Sequence, residues 1–394
     1  MLKEFIKMGL GLLVAVAFNV LVISPAVFAQ SAKKTAVLNF IYTSDAHYGI
    51  TRSDFRGAKN VSGHTVNSAM IAAINELPKL KLPADNGANS GNVVGGIEYL
   101  IEGGDIANRM EIPIQSATAS WKEFESDYVD HLNLKQHNGS QTELLLIPGN
   151  HDISNAIGHY KAMQPIADPA SMVNIYNKMI KPEKLITSKN YDYNLHKVNY
   201  CRNVNGVHIA FINLWPDSAE RIWLKNDLDT VSSTTPVIIF THDPPICDAK
   251  HFTNPVSPYG ITERDKFENL VVERYKEAKN ETEDKGMTDI EQRGFVKFLK
   301  AYPNIKAYFH GHSNSNEFYI YHGPDQDVNL NVFRVDSPMK GKYSSKDEKL
   351  LSFQLISLDA VNMLLTVREC LWNTEPLNPS KSTTFGNMIT ISLR

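Results

Sequence analysis

The chain has 394 residues, of which 42% are hydrophobic and 21% charged, with 40 lysines and arginines against 43 aspartates and glutamates. This composition is typical of a folded globular protein and excludes a disordered chain, and 22 glycines are far too few for a collagen-like one. A formal net charge of -3 provides no positive field for a polyanion, so we expect no nucleic-acid partner by default.

The first 29 residues have the pattern of an export signal. Lys3 and Lys7 precede an apolar run over residues 8–23, and a short segment of small residues ends at Ala29. The run is shorter than the roughly 20 residues of a membrane span, and Asn19 interrupts it. We therefore expect cleavage after Ala29, a secreted or periplasmic protein, and no membrane span in the mature chain. An uncleaved anchor is the alternative.

Strand-like and helix-like segments alternate between residues 30 and 315. Short runs rich in Val, Ile, Phe and Leu, typical of buried strands, lie at residues 36–42, 97–101, 144–147, 207–214, 237–241 and 305–309. Amphipathic segments with helical spacing lie at residues 65–77, 117–132, 219–228, 262–279 and 290–301. The alternation predicts a layered α/β core over residues 30–315.

The chain changes character after residue 315, where the helical patterns stop. Strand-like runs follow at residues 317–322, 330–335, 350–356, 363–367 and 388–393. We expect residues 316–394 to complete the sheet or to form a small β unit. Two earlier segments, residues 51–63 and 84–96, are rich in glycine and polar residues and predict surface loops.

Five of the six core runs end in clusters of Asp, Asn or His. Ligands of open α/β sheets bind at the carboxyl ends of the strands, and period-two alternation predicts that Asp45 and His47 face the same side. Carboxylate, amide and imidazole donors without thiolate suit Mn, Fe or Zn, and a shared aspartate can bridge two such ions. The clusters are Asp45-Ala46-His47, Gly104-Asp105-Ile106-Ala107-Asn108, Gly149-Asn150-His151-Asp152, Thr241-His242-Asp243 and His310-Gly311-His312-Ser313-Asn314.

The order and spacing of these clusters resemble the calcineurin-like metallophosphoesterase family. That family's pattern is D-x-H, then G-D-x-x-(D/N), then G-N-H-(D/E), a histidine after a strand, and finally G-H-x-H; the match spans residues 45–314. The resemblance implies an α/β fold, a four-layer αββα sandwich, here with extra C-terminal strands. It also implies a site for two divalent ions, Mn, Fe or Zn, and hydrolysis of a phosphate mono- or diester by a hydroxide bridging them. Within that activity we favour a phosphodiesterase.

The resemblance also implies a role for each residue of the pattern. Asp45 and His47 would hold the first metal, and Asp105 would bridge both. The residues completing the second metal site would be Asn150, His242 and His312. Separate from the ligands are His151, which would protonate the leaving group, Asp152, which would orient His151, and Asn108, which would support the ligands.

One position departs from the family pattern, because Asn314 stands where the family has a histidine. An amide oxygen is a weaker and harder donor than imidazole, so we expect the first site to hold its ion loosely. Either Asn314 or a water completes an adjusted dinuclear site, or only one metal is held tightly. His310 could substitute as a ligand, although we expect it to pack at the strand end or to support a ligand.

Three arginines follow closely on the first two clusters and could hold a substrate phosphate through paired hydrogen bonds. They are Arg52, Arg56 and Arg109. We expect the substrate to be a small-molecule or lipid-like phosphate ester. The arginines either form a clamp on the phosphate or head group or are solvated charges on a loop.

Other functions remain open from the sequence. Within phosphoesterases the alternative is a phosphomonoesterase or nucleotidase. Outside that class it is a non-catalytic metal-dependent binding protein. A third alternative is a metal-dependent amidohydrolase, but the usual H-x-H start of that class is absent. The cysteines, Cys201, Cys247 and Cys370, are odd in number and widely spaced, so they predict neither a disulfide framework nor a cysteine-based zinc site.

Overall fold

The computed structural model describes residues 37–108, 115–154, 168–248, 251–253, 270–274, 289–381 and 383–394. The predicted export signal and Arg109 lie outside these ranges. Most of the predicted helix over residues 262–279 also lies outside them, and the described part, Val271–Arg274, is a strand, so the helix prediction is wrong there. Among the described residues, no helix combines the length and apolar composition that a membrane span requires.

The described residues form sixteen strands and six α-helices. The strands are β1 (Val37–Thr43), β2 (Thr51–Phe55), β3 (Ala58–Ser62), β4 (Tyr99–Glu102), β5 (Glu143–Leu146), β6 (Tyr200–Val204), β7 (Val207–Phe211), β8 (Val237–Phe240), β9 (Phe252–Thr253), β10 (Val271–Arg274), β11 (Ile305–His310), β12 (Glu317–Tyr321), β13 (Leu330–Arg334), β14 (Ser352–Asp359), β15 (Leu364–Leu371) and β16 (Thr384–Ser392). The helices are α1 (Gly63–Glu76), α2 (Ala117–Glu125), α3 (Asn150–Ser154), α4 (Ala170–Ile180), α5 (Ser218–Leu228) and α6 (Asp289–Ala301).

Two six-stranded mixed sheets form the core. The first has the order β16-β15-β14-β1-β4-β5, in which β1, β4 and β5 are parallel and the strands from β14 onward are antiparallel additions. The second has the order β12-β13-β11-β8-β7-β6, with parallel pairing from β13 to β7. The C-terminal strands are thus divided between the two sheets. The predicted α/β fold with extra C-terminal strands is confirmed.

The sheets pack face to face through aromatic side chains, and helices cover their outer faces. The Tyr42 ring of β1 meets Phe240 of β8 and Phe309 of β11 edge-on, with ring centroids 5.3 and 5.7 Å apart. Side chains alternate along a strand, so Thr43 faces the other way, where its hydroxyl accepts a hydrogen bond from Tyr128. On the second sheet, Phe295 of α6 contacts Tyr308 of β11 at 6.0 Å. The layers therefore follow the order helix, sheet, sheet, helix.

The segment after the first cluster is a β-hairpin, so the prediction of a surface loop over residues 51–63 is wrong. Strands β2 and β3 pair antiparallel and turn at Arg56 and Gly57, whose φ angles are +50° and +80°. A two-residue turn of this hand needs positive φ at both positions, which Asn-Gly or Asp-Gly usually supplies. Arginine is uncommon at the first position of such a turn, so the sequence did not indicate a hairpin here. Helix α4 and strand β6 also had no predicted counterpart.

Candidate metal centre

The loops that follow β1, β4, β5, β8 and β11 meet at one edge of the two sheets. The backbone N–H of Asp45 donates to Gly104 O at 2.8 Å, which joins the first two loops. The backbone N–H of His312 donates to Asp45 Oδ2 at 2.9 Å, which joins the second sheet to the first. The parallel central strands therefore deliver their terminal polar residues to one place.

Asp105 lies at the centre of this group. Its Oδ2 is 3.4 Å from His242 Nε2, 3.7 Å from His47 Nε2 and 3.8 Å from His151 Nε2. Asp45 Oδ1 lies 3.6 Å from His47 Nε2, on the same side. These separations exceed a hydrogen bond and approach the roughly 3.3 Å between donors that share a metal ion at about 2 Å.

The second half of the group is built around His312. Its Nδ1 lies 3.1 Å from Asn150 Oδ1, and its ring meets that of His242 edge-on at 5.3 Å. One donor atom from each of Asp105, His242 and His312 lies within 4.8 Å of the others. The same holds for His47, Asp105 and His151. Asp105 thus belongs to two adjoining groups of donors, which is the position of a bridging ligand.

The residues of the group are held by an unusual backbone rather than by strands. Positive φ angles between +44° and +63° occur at Asp45, His47, Asp105, His312 and Asn314. Each such conformation costs on the order of 1 kcal/mol or more and persists only where surrounding contacts impose it. Asp45 and His47 do face the same side, but strand β1 already ends at Thr43, so their positive φ angles orient them and strand alternation is the wrong reason.

Glycines allow the loops to approach each other this closely. Gly104 has a φ of +102°, and a Cβ on it would lie 2.5 Å from the backbone nitrogen of Gly149 and 2.7 Å from His242 Nδ1. A Cβ on Gly149 would overlap the Asp105 carboxylate, and one on Gly311 would overlap Ser44 and Asp45. A side chain at any of these positions would push ligand residues apart.

The electrostatics of the group suit a cation. Burial acts to raise the pKa of Asp105, but the charges of His242 and His151 outweigh it and hold that pKa well below its ordinary value. Burial acts to lower the pKa of His242, but Asp105 outweighs it and raises that pKa well above its ordinary value. Two buried carboxylates, Asp45 and Asp105, therefore need positive charge nearby, which a metal ion provides.

The imidazole and amide groups also fit metal ligation. His242 Nδ1 lies 2.8 Å from the carbonyl oxygen of Gly103, which directs Nε2 toward Asp105, the arrangement usual for metal-binding histidines. Within this group, three buried atoms have no hydrogen-bond partner among the described residues: His242 Nε2, Asp45 Oδ1 and Asn314 Oδ1. Orphaned buried acceptors are rare in folded proteins and mark places where a ligand binds. The residues present thus fit a divalent metal centre.

The positions of Asp152 and His151 differ from the predicted pairing. Both Asp152 oxygens accept backbone N–H bonds, from Gly149, Ile106 and Ala107 at 3.0 to 3.2 Å, so this carboxyl clamps two loops instead of orienting His151. Burial, reinforced by the charge of Asp105, raises its pKa to about 7. His151 stacks edge-on against His47 at 4.8 Å and keeps 14% of its side chain exposed.

Asn314 and His310 have different environments. The Asn314 amide donates to His312 O at 2.9 Å, which leaves the orphaned Oδ1 as its only donor atom for a metal. Both His310 ring nitrogens are engaged, one with Gly311 O and the other with the Tyr319 hydroxyl, each at 2.9 Å. Burial lowers the pKa of His310 to about 3. His310 is therefore a packed histidine and does not replace the missing ligand.

Asn108 closes the loop that carries Asp105. Its backbone N–H donates to Tyr48 O at 2.8 Å, and the same pair of loops is joined where the Tyr48 N–H donates to Ile106 O at 2.9 Å. These two bonds continue the parallel pairing of β1 and β4 beyond the strands. In this position Asn108 supports the backbone that presents Asp105.

The structure contradicts the proposed arginine clamp at the two positions that it describes. The Arg52 guanidinium is buried and donates to the carbonyl oxygens of Asp54, Pro338 and Ser344. Arg56 donates to the Asn373 side chain at 2.8 Å and lies over the Phe55 ring. Both arginines are therefore used to fix the fold, and Arg109 lies outside the described residues.

A lysine that the sequence reasoning missed lies close to the centre. Burial lowers the pKa of His47, and the charge of Lys340 lowers it further. The segment of Lys340 is tied to the centre through Ser337, whose hydroxyl donates to Asp45 O at 2.8 Å and accepts from the Lys340 N–H at 2.9 Å. Lys340 follows the last motif by more than twenty residues, so no spacing pattern could reveal it.

The sequence profile described as calcineurin-like phosphoesterase matches residues 38–316. The chain belongs to the calcineurin-like phosphoesterase family. It is thus a hydrolase of phosphoric ester bonds that depends on divalent metal. The match covers every cluster described above, from Asp45 to Asn314. No curated protein sequence matches this calcineurin-like phosphoesterase significantly.

Three solved structures that this chain matches share little sequence with it. A dimetal phosphatase from Danio rerio is 8% identical, over 91% of this chain and 100% of that chain, with a TM-score of 0.48. Vps29 from Chaetomium thermophilum is 9% identical over 90% and 95% of the two chains, with a TM-score of 0.30. The calcineurin-like phosphoesterase YfkN from Bacillus subtilis is 11% identical over 91% of each chain, with a TM-score of 0.29.

Substituting Gly104 by alanine should remove bound metal and hydrolysis together, because the new Cβ would push the Asp105 loop away from Gly149 and His242. Gly91→Ala is the matched control, since Gly91 also has a positive φ, +72°, but has open space around it. Both variants pay the left-handed backbone cost of about 1 kcal/mol. Metal content and activity should fall only in Gly104→Ala; equal behaviour of the two variants would contradict the steric argument.

Proposed function

We propose that this protein is an exported phosphodiesterase that works with two divalent ions, Mn, Fe or Zn. The observation that carries the proposal is the position of Asp105, a buried carboxylate shared by two groups of metal donors. Asp45 and His47 would hold one ion, and Asn150, His242 and His312 the other. Asn314 Oδ1 is the remaining acceptor for the first ion. When bound, such ions lower the pKa of water and neutralise phosphoryl oxygens.

The protein's own contribution to the reaction is a proton donor and a positive charge. His151 lies beside Asp105 on the open side of the centre, and its imidazole can give a proton to the departing alkoxide. Lys340 is close enough to His47 for its charge to act there, which suits binding of an anionic substrate. The buried surroundings strengthen both effects because little water is present there to screen the charges.

An acidic charge near His312 favours a diester over a monoester. Asp248 Oδ2 lies 3.4 Å from His312 Nε2. A phosphomonoester carries up to two negative charges near neutral pH, whereas a diester carries one, so this acidic neighbour penalises the monoester more. The structure also engages Arg52 and Arg56 elsewhere, and these were two of the three residues considered for holding the substrate phosphate.

The alternatives are less well supported. A phosphomonoesterase or nucleotidase would need additional cations around the phosphate, whereas the charge of Lys340 acts on His47 and the guanidinium groups of Arg52 and Arg56 are engaged elsewhere. A metal-dependent binding protein has no use for a proton donor, yet His151 lies beside the bridging carboxylate. Export rests on the charged, apolar and small-residue pattern of residues 1–29.

The substrate class is tested by assaying the metal-loaded protein on bis-p-nitrophenyl phosphate and p-nitrophenyl phosphate. We expect a higher kcat/KM for the diester. Asp248→Asn should shift the ratio toward the monoester, because it removes a negative charge beside His312. Asp325→Asn is the control, since Asp325 is an exposed partner of Arg293. A wild-type preference for the monoester would contradict the diester assignment.

The role of His151 is tested by His151→Gln. The variant should keep its metal content but lose roughly 10² to 10⁴ in rate on alkyl phosphodiesters, because the leaving alkoxide then has no proton donor. The loss should be smaller on p-nitrophenyl esters, whose leaving group is stable without a proton. Equal losses on both substrates would show that His151 positions the substrate and is not its acid.

A further inference from the structure

A second group of donor atoms lies directly behind His312. Asp243 Oδ2 is 3.0 Å from Cys247 Sγ and 2.6 Å from His251 Nδ1, and Cys247 Sγ is 4.0 Å from His251 Nδ1. All three side chains are fully buried or nearly so, at 0%, 1% and 0% exposure. We call these three residues the Asp-Cys-His cluster. It contains a cysteine, whereas the ligands expected for the dinuclear centre do not.

The geometry of this cluster is close to that of a zinc site. Zinc binds sulfur at about 2.3 Å and nitrogen or oxygen at about 2.0 Å, so tetrahedral donors lie about 3.3 to 3.6 Å from one another. The three separations observed, 2.6, 3.0 and 4.0 Å, lie on both sides of that range. Side-chain shifts of under about 1 Å would accommodate the ion, leaving its fourth position for water or a nearby donor.

We propose that Asp243, Cys247 and His251 bind a zinc ion in addition to the two ions of the dinuclear centre. A carboxylate, a thiolate and a neutral imidazole balance the charge of Zn²⁺, so the buried complex is neutral overall and avoids the cost of burying net charge. Binding releases one proton, from the Cys247 thiol, while His251 keeps one proton on its other ring nitrogen. The thiolate selects zinc over the harder ions Mn and Mg.

Asp243 would connect this ion to the catalytic centre. Its Oδ2 faces Cys247 and His251, whereas its Oδ1 lies 3.5 Å from Nδ1 of His312 and has no hydrogen-bond partner among the described residues. The His251 ring also packs edge-on against His312 at 5.2 Å. An ion at the Asp-Cys-His cluster would therefore hold Asp243 and His251, and through them the His312 ring, in place.

Another cysteine-containing cluster fits an ion less well. Cys201, His208 and Asp227 also bring donor atoms within 4.8 Å of one another. However, His208 Nδ1 is bonded to Asn203 at 2.8 Å, so only its Nε2, which lies 2.7 Å from Asp227, faces the cluster. Cys201 is only partly buried. This cluster serves as the comparison in the test.

The test is zinc X-ray absorption on the full chain, loaded with zinc and freed of excess metal by gel filtration. A sulfur shell at about 2.3 Å is expected in the wild type. The Cys247→Ser variant keeps a hydroxyl donor for Asp243 and should lose the sulfur shell and about one equivalent of zinc. Cys201→Ser should retain both. None of the dinuclear ligands is a cysteine, so the sulfur shell reads this site independently of the proposed function.

Three results would overturn the proposal: a wild type without zinc–sulfur scattering, a sulfur shell that persists in Cys247→Ser, or its loss in Cys201→Ser. The chain has three cysteines, so a Cys201→Ser, Cys370→Ala variant retains Cys247 as its only thiol. If Cys247→Ser fails to fold, as judged by circular dichroism, this double variant decides the question. A sulfur shell in it supports the site, and its absence refutes it.

Discussion

Burial of the Asp105 carboxylate between imidazoles of both sheets is the interaction on which the site depends. An ionised carboxylate away from water is costly unless positive charge or hydrogen bonds compensate it. Here the backbone N–H of His151 donates to one oxygen, and His242, His47 and His151 surround the other at 3.4 to 3.8 Å. Divalent cations satisfy the same demand. The loops are thus built around a charge that a divalent cation can balance.

The backbone of the loops shows how the fold meets this demand. Residues in left-handed conformation store strain, and they occur here where donors must turn inward immediately after a strand. The pairing of the loops after β1 and β4, together with the Asp152 clamp, holds this conformation in place. Glycines at 104, 149 and 311 permit the close contacts. The stable packing of the two sheets therefore maintains the strained backbone of the loops.

The sequence predicted which strands carry the polar site residues, but it did not predict how those residues are oriented. Buried strands are short apolar runs, so β1, β4, β5, β8 and β11 and the polar residues after them were all predictable. Period-two alternation failed at Asp45, because β1 ends before it and the chain turns with positive φ. The hairpin turn has Arg56 in place of the usual Asn or Asp before its glycine. Neither the true partners of Asp152 nor the approach of Lys340 has a local sequence signal, since each arises from contacts between distant segments.

The arginines illustrate a general limit of reading charge from sequence. Arg52 follows the first motif closely, as a phosphate-binding residue would, yet its guanidinium bonds to backbone carbonyl oxygens almost 300 residues away. Proximity in sequence places a residue on the correct loop but does not determine which side of the loop it faces. The same limit concealed the Asp-Cys-His cluster, whose cysteine becomes informative only when Asp243 and His251 are seen beside it.

The central claim is that Asp105 is the ligand shared by two metal ions, and Asp105→Asn tests it most directly. Asparagine keeps the size of the side chain and one oxygen but removes the charge. Equilibrium dialysis against excess Mn, which fills even a loosely held site and which the Asp-Cys-His cluster disfavours, should find about two Mn ions per wild-type chain and both lost in the variant, with hydrolysis falling by at least about 10³. Asp229→Asn, at an exposed ion pair with Lys225, should change neither. An Asp105→Asn protein with wild-type metal content and rate would contradict the account.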